Sequence, residues 1–322
     1  MSIFYKYVKS FLKFFLRIYI KEKNTHFRRV IDQTIYSVLS QNKKFFYKEN
    51  FLKKKRRTSI WSETLMRARD REIFIVHPHE TISHGIYVNG QFDFDKIIYA
   101  IKIIKKKDLL LDVGANIGSI SIPSLKRNLF NKVIAIEPEQ ESFQLLNINV
   151  LINNLQSRAT IYNLALAKTK TKNFSKLLPD NHFNRGNNIL ISDNYINKIN
   201  RIKLSQLNKK KIQVVDTDIL DNYTFGLNKN NSLIKIDTQG STLSILKGGK
   251  KTLKKKISLL IEFDENEIIL YKEIFLILSK YYNFFYDLKN NKIVKLELNF
   301  TNFEKILNFY KEKKTYTDLL IV

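Results

Sequence analysis

"LLLDVGANIGSIS" (Leu109–Ser121) decides how this chain is read. An apolar run passes directly into two glycines, an alanine and an asparagine, the pattern of a strand, a tight turn and the start of a helix. Such a turn lets a small polar ligand approach the main chain closely. Gly114 permits the turn, and Gly118 admits backbone or ligand where a Cβ would stand. The next apolar run, "VIAIEP", places Glu137 nineteen residues beyond Gly118. A carboxylate at that strand end can accept hydrogen bonds from both hydroxyls of a ribose, so the expected ligand contains a nucleoside.

Two ligands compete for that description. A dinucleotide site requires G-x-G-x-x-G, whose glycines admit a pyrophosphate to the helix N-terminus. Here Asn116 and Ser119 stand at the second and third glycine positions. An acidic Asp112 before Gly-x-Asn-x-Gly suits S-adenosyl-L-methionine better. That molecule has no phosphate, but it has an amino-acid group to hold and a ribose to clasp.

Working outward, strands are expected at 109–113, 133–137, 159–164, 212–215, 233–237 and 257–263, with helices near 119–127, 140–152 and 241–247. "DFDKIIYAIKIIKKK" precedes them as a helix capped by Asp93 or Asp95, and "REIFIV" and "GIYVNG" read as short strands. A loop-rich insertion with Pro179 and "NRGNN" interrupts the alternation. The chain ends with a helix near 265–280, a Tyr/Phe-rich strand, another helix and the strand "DLLIV". This is an α/β order, implying a mostly parallel sheet with helices on both faces. Ligands bind such a sheet outside the carboxyl ends of its strands, where strand order reverses. "IKIDTQG" ends a strand at Asp237 and "SLLIEF" ends one at Glu262, which puts two carboxylates on the rim that carries the loop. The plainer role for both is capping helices or orienting loop amides.

Composition bounds the rest. The 322 residues are 44% hydrophobic, enough for a full core, and include no cysteine. That excludes disulfides, thiolate metal sites, iron–sulfur chemistry and cysteine nucleophiles. No run approaches the ~20 apolar residues of a membrane span, and the N-terminus lacks a secretory pattern, so a cytoplasmic protein is expected. The formal charge of +26 suits nucleic acid or anionic lipid, but lysine is spread over the whole chain, as compositional drift would produce.

Residues 1–70 read as a basic helical extension and 71–322 as the catalytic domain. Within residues 1–22, Phe4, Tyr7, Val8, Phe11, Phe15 and Ile18 fall at helical spacing, with Lys6, Lys9, Lys13, Arg17 and Lys21 on another face. That amphipathic pattern fits peripheral contact with an anionic membrane, or packing on the protein's own body. "HPHETISH" supplies His77, His79 and His84, but no ligand set with metal spacing accompanies them. His84, just before Gly85, is instead a candidate for approaching a substrate.

Taken together, "LDVGANIGSIS", "VIAIEP", "NLALA", "IKIDTQGSTLSILKGG" and "LLIEF", in this order, resemble the FkbM-type S-adenosylmethionine-dependent methyltransferases. "GIYVNGQFD" and the following helix are similar to the family's approach to its first strand. The resemblance covers roughly residues 73–322. It implies a Rossmann-like seven-stranded methyltransferase sheet with an antiparallel final hairpin, and methyl transfer to oxygen of a saccharide, glycolipid or other small-molecule acceptor. By motif position it implies that Asp112, Gly114, Asn116 and Gly118 surround the cofactor's methionine part. Glu137 would clasp the ribose, and Asn163 and Ala165 would lie near the adenine. Asp237 and Gln239 would sit where acceptor and methyl donor meet. One departure stands out: after "DTQG" the family commonly has an aromatic residue and a glutamate, whereas this chain has Ser241 and Thr242.

For catalysis Asp237 is the expected base or acceptor-orienting group, with Glu262 and His84 behind it. Two other functions compete. A nucleic-acid methyltransferase would use the charge, but the absence of cysteine and the "IDTQG" turn leave it ribose or unusual base targets. A catalytically degenerate membrane-associated binding protein would account for Ser241, Thr242 and the basic N-terminus, yet would have no need of an intact nucleoside site.

Overall fold

The computed structural model describes residues 64–68, 72–77, 80–105, 108–178, 189–191, 213–289 and 293–322. The basic helix expected over residues 1–22, and His79, lie outside them. The chain divides into two units, Met1–Phe92 and Asp93–Val322.

In the first unit β1 (Thr64–Arg67) pairs antiparallel with β2 (Ile73–Val76), and α1 (Thr81–Asn89) follows. The Glu80 carboxylate caps α1 by accepting from the Ser83 amide at 2.7 Å. "GIYVNG", expected as a strand, is instead the end of this helix. Ser83, Ile86 and Tyr87 share its buried side, and Gly90 closes it in the left-handed conformation, φ 75°.

The second unit opens with α2 (Asp95–Ile104), then β3 (Leu109–Val113), α3 (Ser121–Lys126), β4 (Lys132–Ile136), α4 (Gln140–Ile152) and β5 (Ala159–Tyr162). Four strands follow, β6 (Ala165–Leu166), β7 (Thr171–Leu178), β8 (Ile189–Ile191) and β9 (Gln213–Asp218). The chain then returns through β10 (Ser232–Ile236), α5 (Thr242–Lys247), α6 (Lys250–Lys254) and β11 (Ser258–Phe263). It ends with α7 (Glu265–Ile269), α8 (Tyr271–Leu278), β12 (Phe284–Asp287), β13 (Lys295–Glu297), α9 (Phe300–Glu312) and β14 (Thr317–Ile321).

The main sheet runs β13-β12-β14-β11-β10-β3-β4-β5. From β11 to β5 neighbouring strands are parallel, while β14 is antiparallel to both β11 and β12. These are the seven strands expected, with the antiparallel end, and β13 adds a short eighth at the edge. Burial explains the parallel centre. Every residue of β10 is buried, and Leu111, Ile234, Ile236, Leu259 and Ile261 join one continuous core with Phe263, Phe285 and Phe303. Strand order reverses between β3 and β10, so the crevice for a ligand opens at Val113 and Ile236.

The described residues of the insertion are strands, where its composition suggested loop. β6, β9, β7 and β8 make a separate four-stranded sheet, and the strand expected at 212–215 belongs to it rather than to the main sheet. Among the described residues no helix is long and apolar enough to cross a membrane.

Candidate active site and cofactor loop

At the crevice the loop after β3 is shaped by left-handed residues, Gly114 at φ 80°, Asn116 at 50° and Gly118 at 91°. Gly114 is required twice over. Its backbone lies where side chains are strained, and a Cβ there would stand 2.0 Å from the Asp237 carbonyl oxygen. The loop therefore packs directly on the end of β10, where the Asp237 amide donates to the Val113 carbonyl at 3.1 Å.

Every amide from Gly114 to Gly118 already has an acceptor. Gly114 and Ala115 donate to the Ile136 carbonyl, and Gly118 donates to that of Ala115. Asn116 donates to Glu137 Oε2 and Ile117 to Asn116 Oδ1, both at 2.8 Å. A pyrophosphate would need such amides free, so the loop fits a ligand without phosphate. From α4, buried Asn149 donates its Nδ2 to the Ile117 carbonyl at 2.9 Å and braces the loop. Asp112 is fully buried, its Oδ2 accepting from the Ser121 hydroxyl at 2.6 Å. Its carboxylate thus fixes the loop's base rather than facing a ligand.

Glu137 sits at the end of β4, as expected. Its second oxygen accepts from the Glu139 amide at 2.8 Å, so two amides occupy two of a carboxylate's about four lone-pair sites. The remaining pair is the acceptor set that two ribose hydroxyls require. Burial pushes its carboxyl up to about 7, against the lowering effect of the Glu139 and Asn116 amides. Asn163 sits beside it, donating to the carbonyls of Glu137 and Pro138 at 2.9 and 3.2 Å. Ala165 lies farther along, buried in β6 and paired with Thr217.

The other half of the crevice is ionic. Lys235 Nζ lies 3.2 Å from both Asp112 Oδ1 and Asp237 Oδ2. Lys96, from α2, places its Nζ 2.8 Å from Asp318 Oδ1, 3.2 Å from Glu262 Oε2, 3.5 Å from Asp93 Oδ2 and 3.9 Å from Asp237 Oδ2. Five carboxyl groups thus share two buried lysines. The Asp93 side chain is 33% exposed, that of Asp237 27% and that of Glu262 12%, so of the two strand-end carboxyl groups Asp237 is the more open. Burial alone would raise Asp237, but Lys235 and then Lys96 overcome it and hold the carboxyl below its ordinary value. Glu262 moves the other way, raised by burial and by the Asp237 charge. Two adjacent carboxyl groups are thus pushed in opposite directions.

The turn after β10 carries Gln239 at φ 35° and Gly240 at φ 84°. Gln239 Nε2 reaches Glu262 Oε1 at 3.4 Å. The Thr238 hydroxyl, beside Gly114, is buried with no hydrogen-bond partner among the described residues. Where Ser241 and Thr242 depart from the family pattern, a carboxylate arrives from another element. Glu267 of α7 accepts from the Gly240 amide and, at 3.1 Å, from the Thr242 hydroxyl. His84 lies on α1, in the first unit.

Lys96, Lys235, Asn149 and Glu267 were not singled out from sequence. Two carried a signal: Lys235 is the lone charge in the strand "SLIKI", and Asn149 falls on the same helix side as Leu146 and Val150. Lys96 and Glu267 carried none, because their partners are remote in the chain.

Among proteins of known function, a tRNA (guanine(37)-N(1))-methyltransferase of Aedes aegypti is 32% identical over 83 residues, which are 23% of this chain and 14% of that protein. This chain therefore matches only a small part of that relative's length. Among solved structures, a methyltransferase FkbM from Methylobacillus flagellatus KT aligns with 67% of this chain and 44% of its own, at 18% identity and a TM-score of 0.41. The B. subtilis M1A22 tRNA methyltransferase TrmK aligns with 70% and 64%, at 11% identity and a TM-score of 0.36. The Methyltransferase FkbM domain matches residues 112–286, from the aspartate under the loop through the whole parallel half of the sheet. With more than half of its length matched in this way, the chain belongs to the FkbM methyltransferase family.

Proposed function

We propose that the enzyme methylates a hydroxyl oxygen of a saccharide, glycolipid or other small-molecule acceptor. The observation that carries this reading is the Asp237 carboxylate. It is partly exposed at the strand end against the cofactor loop, and two lysines keep it ionised. When bound, S-adenosylmethionine supplies an electrophilic methyl group on a sulfonium. The enzyme's residues position the reactants and take the proton. Glu137 would clasp the ribose, the turn from Gly114 to Gly118 would hold the methionine part, and Asn163 would border the adenine. Asp237 would take the proton that the acceptor hydroxyl gives up on receiving the methyl group, and the sulfur would keep the electron pair. The two exposed carboxyl groups of the cluster, Asp237 and Asp93, can accept hydrogen bonds from a polyol and repel phosphate. In this reading residues 71–322 are the catalytic domain of a cytoplasmic enzyme and residues 1–70 a basic extension.

Ribose methylation in a nucleic acid is the second reading. It draws on the charge of +26 and on the tRNA methyltransferase relative. Incubation with labelled S-adenosylmethionine and separate saccharide, glycolipid and RNA pools tests both. Label in the saccharide or lipid pool, lost in Asp237→Asn, is the expected result; label confined to RNA overturns the first reading in favour of the second.

A further inference from the structure

Lys96 is unexplained by its own helix. It lies in the first turn of α2, the end where the helix dipole disfavours a cation, and its side chain is 6% exposed. Burying an ammonium group there is costly unless carboxylates surround it. They do, and they come from four separate places in the chain: Asp93, Asp237, Glu262 and Asp318.

The sheet makes such a cation necessary. Glu262 and Asp318 are register partners across the antiparallel β11–β14 pair, so two carboxyl groups stand directly opposite each other. Like charges so placed push strands apart. The Lys96 ammonium bridges them, 3.2 Å from one and 2.8 Å from the other. Lys235 cannot do this work, because it is shared between Asp112 and Asp237. Lys96 and Asp318 also lie outside residues 112–286, whereas Asp237 and Glu262 lie inside.

We propose that Lys96 is a positioning residue for methyl transfer, a fixed internal cation that gathers Asp237 and Glu262 at the acceptor side and keeps Asp237 ionised to receive the hydroxyl proton. The proposal rests on the reading of Asp237 as proton acceptor. Its physical logic is a division of charge. Burial raises both Glu262 and Asp318, so the cluster's first protons settle there and Asp237 stays charged. Anchored on Asp318, Lys96 also stays in place when Asp237 takes up a proton during turnover. The other titratable groups coupled to the cluster include Asp93, Asp112, Lys235, Lys289 beyond β12, and the neutral Tyr310 of α9 and Tyr316 before β14.

The test compares native enzyme, Lys96→Met and Lys96→Arg, following the Asp237 carboxyl by carbon-13 NMR titration without acceptor, and kcat/KM against pH with acceptor. In Lys96→Met the Asp237 midpoint is expected to rise by about one pH unit, the size of effect an opposite charge at this range produces. The acidic limb of kcat/KM moves with it, S-adenosylmethionine affinity holds within about twofold, and Lys96→Arg restores the native profile. Lys96→Gln, which keeps donors for Asp318 and Glu262 and loses only the charge, makes the same comparison where Lys96→Met does not fold. An Asp237 midpoint equal to the native one in a folded, uncharged variant overturns the role given to Lys96. Full activity in Asp237→Asn would instead overturn the proton-acceptor reading and leave the titration result standing.

Discussion

Lys235 of β10 and Asp112 of β3 are register partners in the centre of the sheet, and their side chains meet at 3.2 Å with neither open to solvent. The pair joins the strand under the cofactor loop to the strand that presents Asp237. It is therefore both a structural clamp and the link between the two halves of the crevice.

Breaking that clamp from one side strands a buried charge. Lys235→Met is expected to cost about 3–5 kcal/mol in urea unfolding. The double variant Lys235→Met with Asp112→Asn should cost clearly less than the single, because no carboxylate is left alone. A double variant whose cost equals the sum of the two singles, Lys235→Met and Asp112→Asn, would show that the two charges do not depend on each other.

Gly114 and Gly226 share φ 80°, but only Gly114 has a neighbour where a Cβ would stand. Alanine at either position should carry a backbone cost on the order of 1–2 kcal/mol. Gly114→Ala should in addition displace the loop from Asp237 and abolish measurable S-adenosylmethionine binding by calorimetry, while Gly226→Ala binds normally. Binding retained in Gly114→Ala would mean that the loop does not carry the cofactor.

Glu137 gives the cofactor site a pH dependence. With its carboxyl pushed up to about 7, it is protonated at pH 6 and ionised at pH 8. Ribose hydroxyls donate best to the ionised form, so S-adenosylmethionine affinity should strengthen as pH rises through 7. For stability the sign is opposite. A carboxyl raised on folding stabilises at low pH, and the contribution is lost as pH rises through 7. Glu137→Gln should flatten both profiles and weaken binding by ~10-fold. A native protein whose affinity does not change between pH 6 and 8 rules out the clasp.

Deletion of residues 1–22 should abolish binding to anionic liposomes and spare cofactor binding, as the lysine stripe in that segment predicts. If liposome binding survives the deletion, the attraction comes from charge spread over the body.

How legible this enzyme is from its sequence depends on whether a feature is local. β3, β4, β10 and β11 announce themselves as apolar runs, and their ends give Asp112, Glu137, Asp237 and Glu262 by counting alone. The second sheet stays hidden because "TKNFSKLL" in β7 has neither an apolar run nor a clean alternation. "GIYVNG" misleads because three adjacent apolar residues suit a strand as well as a buried helix end. The place of Lys96 in the ionic cluster cannot be read, since it meets Glu262 and Asp318 across separations of 166 and 222 residues. Nothing in a single window foretells a contact made by the order of the sheet. Yet a lysine inside "SLIKI" and an aspartate inside "LLLDV" are each out of place, and burial of both charges asks for the pairing that is found.

The insertion has a consequence for how such an enzyme diversifies. Ala165 and Leu166 lie beside Thr217 and Asp218, so the chain leaves the body and re-enters it through one clasp. The Ala167 amide donates to the Asp218 carbonyl at 2.9 Å and fastens the same point. Any exchange of the segment between Leu166 and Thr217 has to keep Gln213, which accepts from the Gln140 amide and donates to the Pro138 carbonyl, and the Lys168 amide, which donates to the Ser244 hydroxyl.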